Sequence, residues 1–207
     1  MQQLVQIKTI NSFFETKFKE KGSLFLGQAY PINSGEEATA ILEKIKKQYY
    51  DATHHCYAYK LNPDIFKYSD DGEPNGTAGI RILNAIEHYN FTNIAVFVIR
   101  YFGGVKLGVG PLGKAYYNSA NMTLQNAEII LRKPYQKIEI TSNFENLNHI
   151  HRLFSNYNAV IDKTVYDEKP HFTCLIEINN VAQFQKTLTD LLKGDVSIKI
   201  NEDIIYL

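Results

Sequence analysis

YSDDGEPNGTAG at residues 68–79 and VFVIRYFGGVKLGVGPLG at residues 96–113 frame one helix–strand unit between two punctuated turns. Asp70, Asp71, Glu73 and Pro74 form an acidic loop that runs into the apolar positions Ile82, Ala85, Ile86 and Tyr89, at helical spacing over 77–89. Residues 94–102 are continuously apolar up to Arg100, as in a strand covered on both faces. Gly103 and Gly104 then permit a tight turn. Pro111 suits the first turn of a helix that buries Leu112, Ala115, Tyr116, Ser119, Met122 and Thr123. In a mixed sheet, the acidic and glycine-rich loops meet at one edge and form a polar cleft.

Upstream, residues 13–19 and 24–31 alternate like two strands joined at Glu20-Lys21-Gly22. Ser34 and Glu37 make a capping box before the helical series Ala38, Ile41, Leu42, Ile45 and Tyr49. The alternation in HHCYAYKL, residues 54–61, predicts another strand. Arg132-Lys133-Pro134 is the expected boundary between domains 1–133 and 134–207. Beyond it the pattern predicts strand 136–141, helix 145–157, strands 160–166 and 172–178, helix 181–192 and strand 196–200. This βαββαβ order is that of a ferredoxin-like split unit. The whole is expected to be an α+β protein.

Several residue groups carry competing chemical readings. Gly108, Gly110 and Gly113 match G-x-G-x-x-G, with Glu128 downstream. The strand and the fingerprint are separated by further residues, however, and only one βαβ unit is available before Pro134. Turn-shaping glycines before a bare helix N-terminus are the better reading; that end favours an anion, with Lys106 and Lys114 flanking it. Asp70, Asp71 and Glu73 suit a divalent cation, or equally a turn whose carboxylates complement a helix dipole. His54, His55 and Cys56 resemble half a zinc site without a second Cys/His pair at ligand spacing. Arg100, ending a buried strand, pairs with Asp70 or Asp71, or faces RNA together with Tyr57, Tyr59, Tyr101 and Phe102. No cofactor or metal site is assigned.

The chain has 207 residues, 44% of them hydrophobic, enough for a substantial core. No apolar run approaches the roughly 18 residues of a membrane span. The opening MQQLVQIKTI lacks a leader pattern, and the two cysteines, Cys56 and Cys174, lie in different halves. A cytoplasmic protein with reduced thiols is expected. Net charge is zero, but residues 1–133 hold 15 Lys and Arg against 12 Asp and Glu, and residues 134–207 hold 7 against 10. The resulting +3 and −3 direct any polyanion contact to the first part.

Three blocks, ATHHCYAY (52–59), YSDDGEPNGTAG (68–79) and IRYFGGVKLGVGPLGKAY (99–116), resemble the signature blocks of the YigZ/IMPACT family. They occur in order and cover most of residues 20–127. Gly110-Pro111-Leu112 departs from the family's Gly-Gly-Leu, which bears on any backbone contact at position 111. The resemblance implies an N-terminal α/β domain of the ribosomal-protein type, also found in translocating elongation factors. It also implies a C-terminal domain like the last domain of those factors. Eukaryotic relatives are implicated in translational control through a protein partner, using a region to which the resemblance does not extend. For bacterial members it implies an RNA- or ribosome-associated role and no established reaction.

Three functional classes follow. One is a protein-interaction module whose ferredoxin-like half docks a partner. Another, the favoured one, is a non-enzymatic protein that binds RNA or the ribosome, with no DNA sequence specificity. It uses a cleft of His54, Tyr57, Asp70, Asp71, Glu73, Thr77, Arg100, Gly103, Gly104, Lys106, Gly108 and Lys114, with Arg81 nearby. The third is an enzyme acting on a small phosphorylated or peptide-like substrate, with Asp71 or Glu73 as base and Arg100 as anion holder.

Overall fold

A computed structural model describes residues 6–62 and 65–207. Residues 1–5, which begin the segment examined for a leader pattern, lie outside the described residues. The chain divides into two compact units, one of residues Ile7–Leu131 and one built on Arg132–Leu207. It is a mixed α/β protein with antiparallel sheets.

The first unit runs β1 (Ile7–Ile10), β2 (Phe14–Glu20), β3 (Ser23–Pro31), α1 (Gly35–Gln48), β4 (His54–Asn62), β5 (Ile65–Ser69), α2 (Gly79–His88), β6 (Ile94–Tyr101), α3 (Val109–Asn126) and β7 (Ile129–Arg132). Five strands form one sheet in the order β2-β3-β6-β4-β5, and every neighbouring pair is antiparallel. The sheet is antiparallel throughout rather than mixed, and the acidic and glycine-rich loops meet at one end of it all the same. β6 is central, with antiparallel partners on both sides, so the parallel crossover to which a dinucleotide fingerprint belongs is not formed there. β1 and β7 make a separate two-stranded pairing.

Both faces of the sheet are covered, which explains the unbroken apolar run in β6. Val96 and Val98 pack with Phe25, Cys56 and Ala58 beneath α2 and α3, against Ile82, Ile86, Leu112, Tyr116 and Ala120. Ala95, Phe97 and Ile99 pack beneath α1, against Ala38 and Ile45. α1 begins as its sequence demands. The Ser34 hydroxyl accepts the Glu37 amide at 3.2 Å, and the Glu37 carboxylate accepts the Asn33 amide at 2.8 Å. α3 begins at Val109, earlier than Pro111 suggests, with Met122 half-buried and Ala120 and Leu124 inside.

The second unit runs β8 (Pro134–Ser142), α4 (Leu147–Asn156), β9 (Val160–Tyr166), β10 (Pro170–Glu177), α5 (Val181–Leu191) and β11 (Val196–Tyr206), with a short 3-10 turn before each helix. Its sheet is antiparallel in the order β11-β8-β10-β9. Ile138, Ile140, Phe172, Cys174 and Ile176 form its core with Ile150, Phe154, Phe184 and Leu188. β11 continues past Ile200, where its predicted end lay. The register shifts between Ile200 and Ile204, and this irregularity interrupts the alternation that sequence reading follows.

Candidate functional site

The acidic loop owes its shape to its own carboxylates. Asp70 turns back on α2: Oδ1 accepts the amides of Ala78 at 2.9 Å and Gly79 at 2.8 Å, and Oδ2 accepts that of Gly76 at 2.9 Å. This supplies the N-terminal cap that Ala78 cannot provide. Asp71 sits at φ 42° and reaches the edge of β4, accepting the His55 amide at 2.6 Å and Lys46 Nζ at 3.0 Å. Burial would raise the Asp71 carboxyl, but the His55 amide and the Lys46 ammonium outweigh it and hold the group below the usual carboxylate range. Thr77 is buried and donates to the Pro74 carbonyl at 2.6 Å.

Glu73 alone of the three carboxylates turns inward. Its Oε1 lies 2.5 Å from Arg100 Nη1 and accepts the Tyr116 hydroxyl at 2.7 Å. Arg100 is 5% exposed and Glu73 8%. The pairing of Arg100 with Asp70 or Asp71 is thus corrected. Both aspartates are committed to backbone amides, and it is Glu73, just beyond the turn at Gly72, that reaches the end of β6. Arg100 Nη2 also donates to Ser23 Oγ at 3.3 Å, and its guanidinium lies 5.5 Å from the ring centres of Phe25 and Phe102. Its Nε, buried, has no hydrogen-bond partner among the described residues.

His54 stands beside this pair. Its Nδ1 is 2.8 Å from the Asp71 carbonyl oxygen, which can only accept, so Nδ1 carries a proton. Nε2 then faces Glu73 Oε2 at 3.7 Å. The Cys56 thiol is buried, 3.0 Å from the Asp70 carbonyl and 3.4 Å from the Tyr116 hydroxyl. Burial pushes both the Cys56 thiol and the Tyr116 phenol upward, so each stays protonated at neutral pH.

The glycine-rich turn crosses the β2–β3 hairpin. A Cβ on Gly103 would fall 1.9 Å from the Gly22 carbonyl carbon, so only glycine permits this backbone contact. The Gly103 amide donates to Ser23 Oγ at 3.2 Å. Gly79 is similarly fixed, its Cβ position lying 2.7 Å from the Ser69 amide nitrogen.

Between the two loops lies a pocket of about 360 Å³. His54, Glu73, Arg100, Lys106 and Gly108 of the sequence-derived set line it, joined by Thr53, Pro74, Phe102, Leu107, Val109 and Leu112. Asp70, Asp71 and Thr77 shape the acidic loop without lining the pocket. Gly103 and Gly104 shape the other loop, and Lys114 is exposed on α3. Tyr57 belongs to the opposite face of the sheet, beneath α1 and 5.9 Å from Phe97, because its neighbours Cys56 and Ala58 occupy the α2/α3 face. Tyr59 shares that face, and Tyr101 donates to Asp51 at 2.9 Å. Tyr116 and Ser23 were missed as members of the Glu73–Arg100 network. Tyr116 reads only as an apolar helix position, and no sequence signal marks Ser23. No group of His, Cys, Asp and Glu among the described residues is arranged to hold a metal.

The Impact N-terminal domain matches residues 21–124, the segment that builds both loops and the pocket. The chain belongs to the IMPACT family. It is 31% identical over 201 residues to IMPACT family member YvyE of Bacillus subtilis, covering 96% of this chain and 92% of that one. It is 29% identical over 187 residues to IMPACT family member YigZ of Escherichia coli, covering 88% and 92%. Against Protein IMPACT of Oryctolagus cuniculus the likeness is 33% over 94 residues, or 43% of this chain and 30% of that protein. A solved structure described as a hypothetical protein superposes with a TM-score of 0.73 at 26% identity, covering 96% of this chain and 98% of the other. The IMPACT-family segment thus contains every residue of the pocket.

Proposed function

We propose that this IMPACT-family protein is a cytoplasmic, non-enzymatic binder of RNA or the ribosome with a role in the regulation of translation. Its residues 1–133 would act as a ribosomal-protein-like, elongation-factor-like domain, and its residues 134–207 as a ferredoxin-like one. The observation that carries the proposal is the internal commitment of every acidic group in the loop. Asp70 is bound by three amides, Asp71 by an amide and Lys46, and Glu73 by Arg100 and Tyr116. Of the three carboxylates only Glu73 lines the pocket, and its charge is compensated by Arg100, while Cys56 and Tyr116 are held in their protonated forms. What faces solvent is cationic and aromatic. Lys106 in the glycine-rich loop, Lys114 on α3 and Arg81 on α2 are exposed and make no ion pair among the described residues, and Phe102, in the same loop as Lys106, is 46% exposed. Arg81 packs against Gly113, next to Lys114. Such a rim suits a polyanion better than a small reactive substrate.

Co-sedimentation with ribosomes and gel shifts with single-stranded RNA across a salt series test this. Binding at low salt should fall steeply as salt rises, and Lys106→Ala should reduce the log–log salt slope by about one if it meets one phosphate. Absence of binding to either partner at low salt overturns the proposal.

A further inference from the structure

The pocket differs from its rim in charge. Inside, Arg100 is neutralised by Glu73 at 2.5 Å, and the walls are Pro74, Phe102, Leu107, Val109 and Leu112. A second anion placed deep in it would meet the Glu73 carboxylate beside a cation already paired. Lys106, an exposed cation, also lines it, and α3 begins beside it without an acidic first turn or a side-chain cap. A neutral interior under a positive rim matches a guest with an uncharged, flat, hydrogen-bonding body and an external phosphate. Among the lining residues, His54 has Nδ1 engaged by the Asp71 carbonyl, which leaves Nε2, 3.7 Å from Glu73 Oε2, as its ring atom without a hydrogen bond. The volume of about 360 Å³ stands at the small end of ligand sites, the size of one ring system with its sugar.

Resting on the RNA-binding reading above, we propose that this pocket takes one unstacked nucleobase of a single strand, with the adjoining phosphate on Lys106 and the start of α3. Phe102 provides an aromatic wall, one backed by the Arg100 guanidinium. The polar edge of the base meets His54 Nε2, and its face lies against Phe102. All four bases carry a hydrogen-bonding edge and a π-face, so recognition is of a base as such, with little preference among them.

The test compares the full chain's affinity for a short oligoadenylate with its affinity for an abasic ribose-phosphate strand of equal length and charge. The base-bearing strand should bind about tenfold more tightly, the range that one base–aromatic contact provides. Phe102→Ala, at a half-exposed position, should remove most of that difference, whereas Lys106→Ala should weaken both strands alike. A strand carrying 5-iodouridine should photocrosslink to the tryptic peptide of residues 101–106 or to that containing His54. Equal affinity for the two strands, or crosslinks only elsewhere, overturns the pocket assignment while leaving RNA binding intact. Failure of both strands to bind at low salt overturns the two together.

Discussion

Glu73 and Arg100 are the hinge pin of the first unit: one Oε1–Nη1 contact of 2.5 Å joins the acidic loop to the end of the central strand. Both side chains are almost wholly buried, so each depends on the other for charge compensation. Arg100→Ala leaves the Glu73 carboxylate uncompensated and should cost about 3–5 kcal/mol. Replacing both by apolar residues of similar volume should recover much of that loss. Urea unfolding followed by circular dichroism measures it, and a single-variant cost below about 1 kcal/mol would contradict the burial argument.

Asp70→Ala should destabilise the first unit by about 2 kcal/mol, the upper end for a helix cap, because three amides lose their acceptor together. Asp70→Asn keeps one acceptor oxygen and should cost less. Hydrogen exchange of the Ala78 and Gly79 amides should accelerate in the alanine variant, and unchanged rates would refute the capping role.

Gly103→Ala and Gly104→Ala should differ, although the two residues are adjacent. At Gly103 the new Cβ strikes the Gly22 backbone, so the hairpin must move, at about 3 kcal/mol or more. Gly104 has open space around its Cβ position and only a φ of 84° to satisfy, which costs about 1–2 kcal/mol. Thermal unfolding of the two variants side by side decides it; equal losses would mean that the contact relaxes freely.

Asp71 makes stability depend on acid. Its folded carboxyl ionises below its ordinary value of 3.8, so the unfolded chain binds protons more readily as pH falls. The stabilisation is complete above the unfolded value and disappears as pH drops through the folded one. Asp71→Asn should flatten the stability profile in that acidic window and leave neutral-pH behaviour less affected by further acidification. Parallel urea titrations from neutral to strongly acidic pH check the sign; a profile as steep as that of the parent chain would refute it.

The sequence made the elements with strong periodicity or a clear cap legible. α1 was marked by Ser34 and Glu37, and β6 by its unbroken apolar run. β5 escaped because its residues 65–68 are all exposed at the sheet edge and show no alternation. The four-residue β1 and β7 were too short to leave a pattern. In the site, residue types identified the two loops, but side-chain direction did not follow from spacing. Whether Asp70, Asp71 or Glu73 meets Arg100 is set by the positive φ values of Asp71 and Gly72, which rotate successive carboxylates apart. Tyr57 and Tyr59 share a face by alternation along β4, but which of its two faces meets α2 and α3 depends on where those helices pack, which spacing within the strand does not give.

The backbone contact between Gly22 and Gly103 ties the first hairpin to the recess it does not line. Lengthening that reverse turn by a single amino acid would shift the glycine-rich segment with it, altering access for any guest while leaving each lining side chain chemically unchanged.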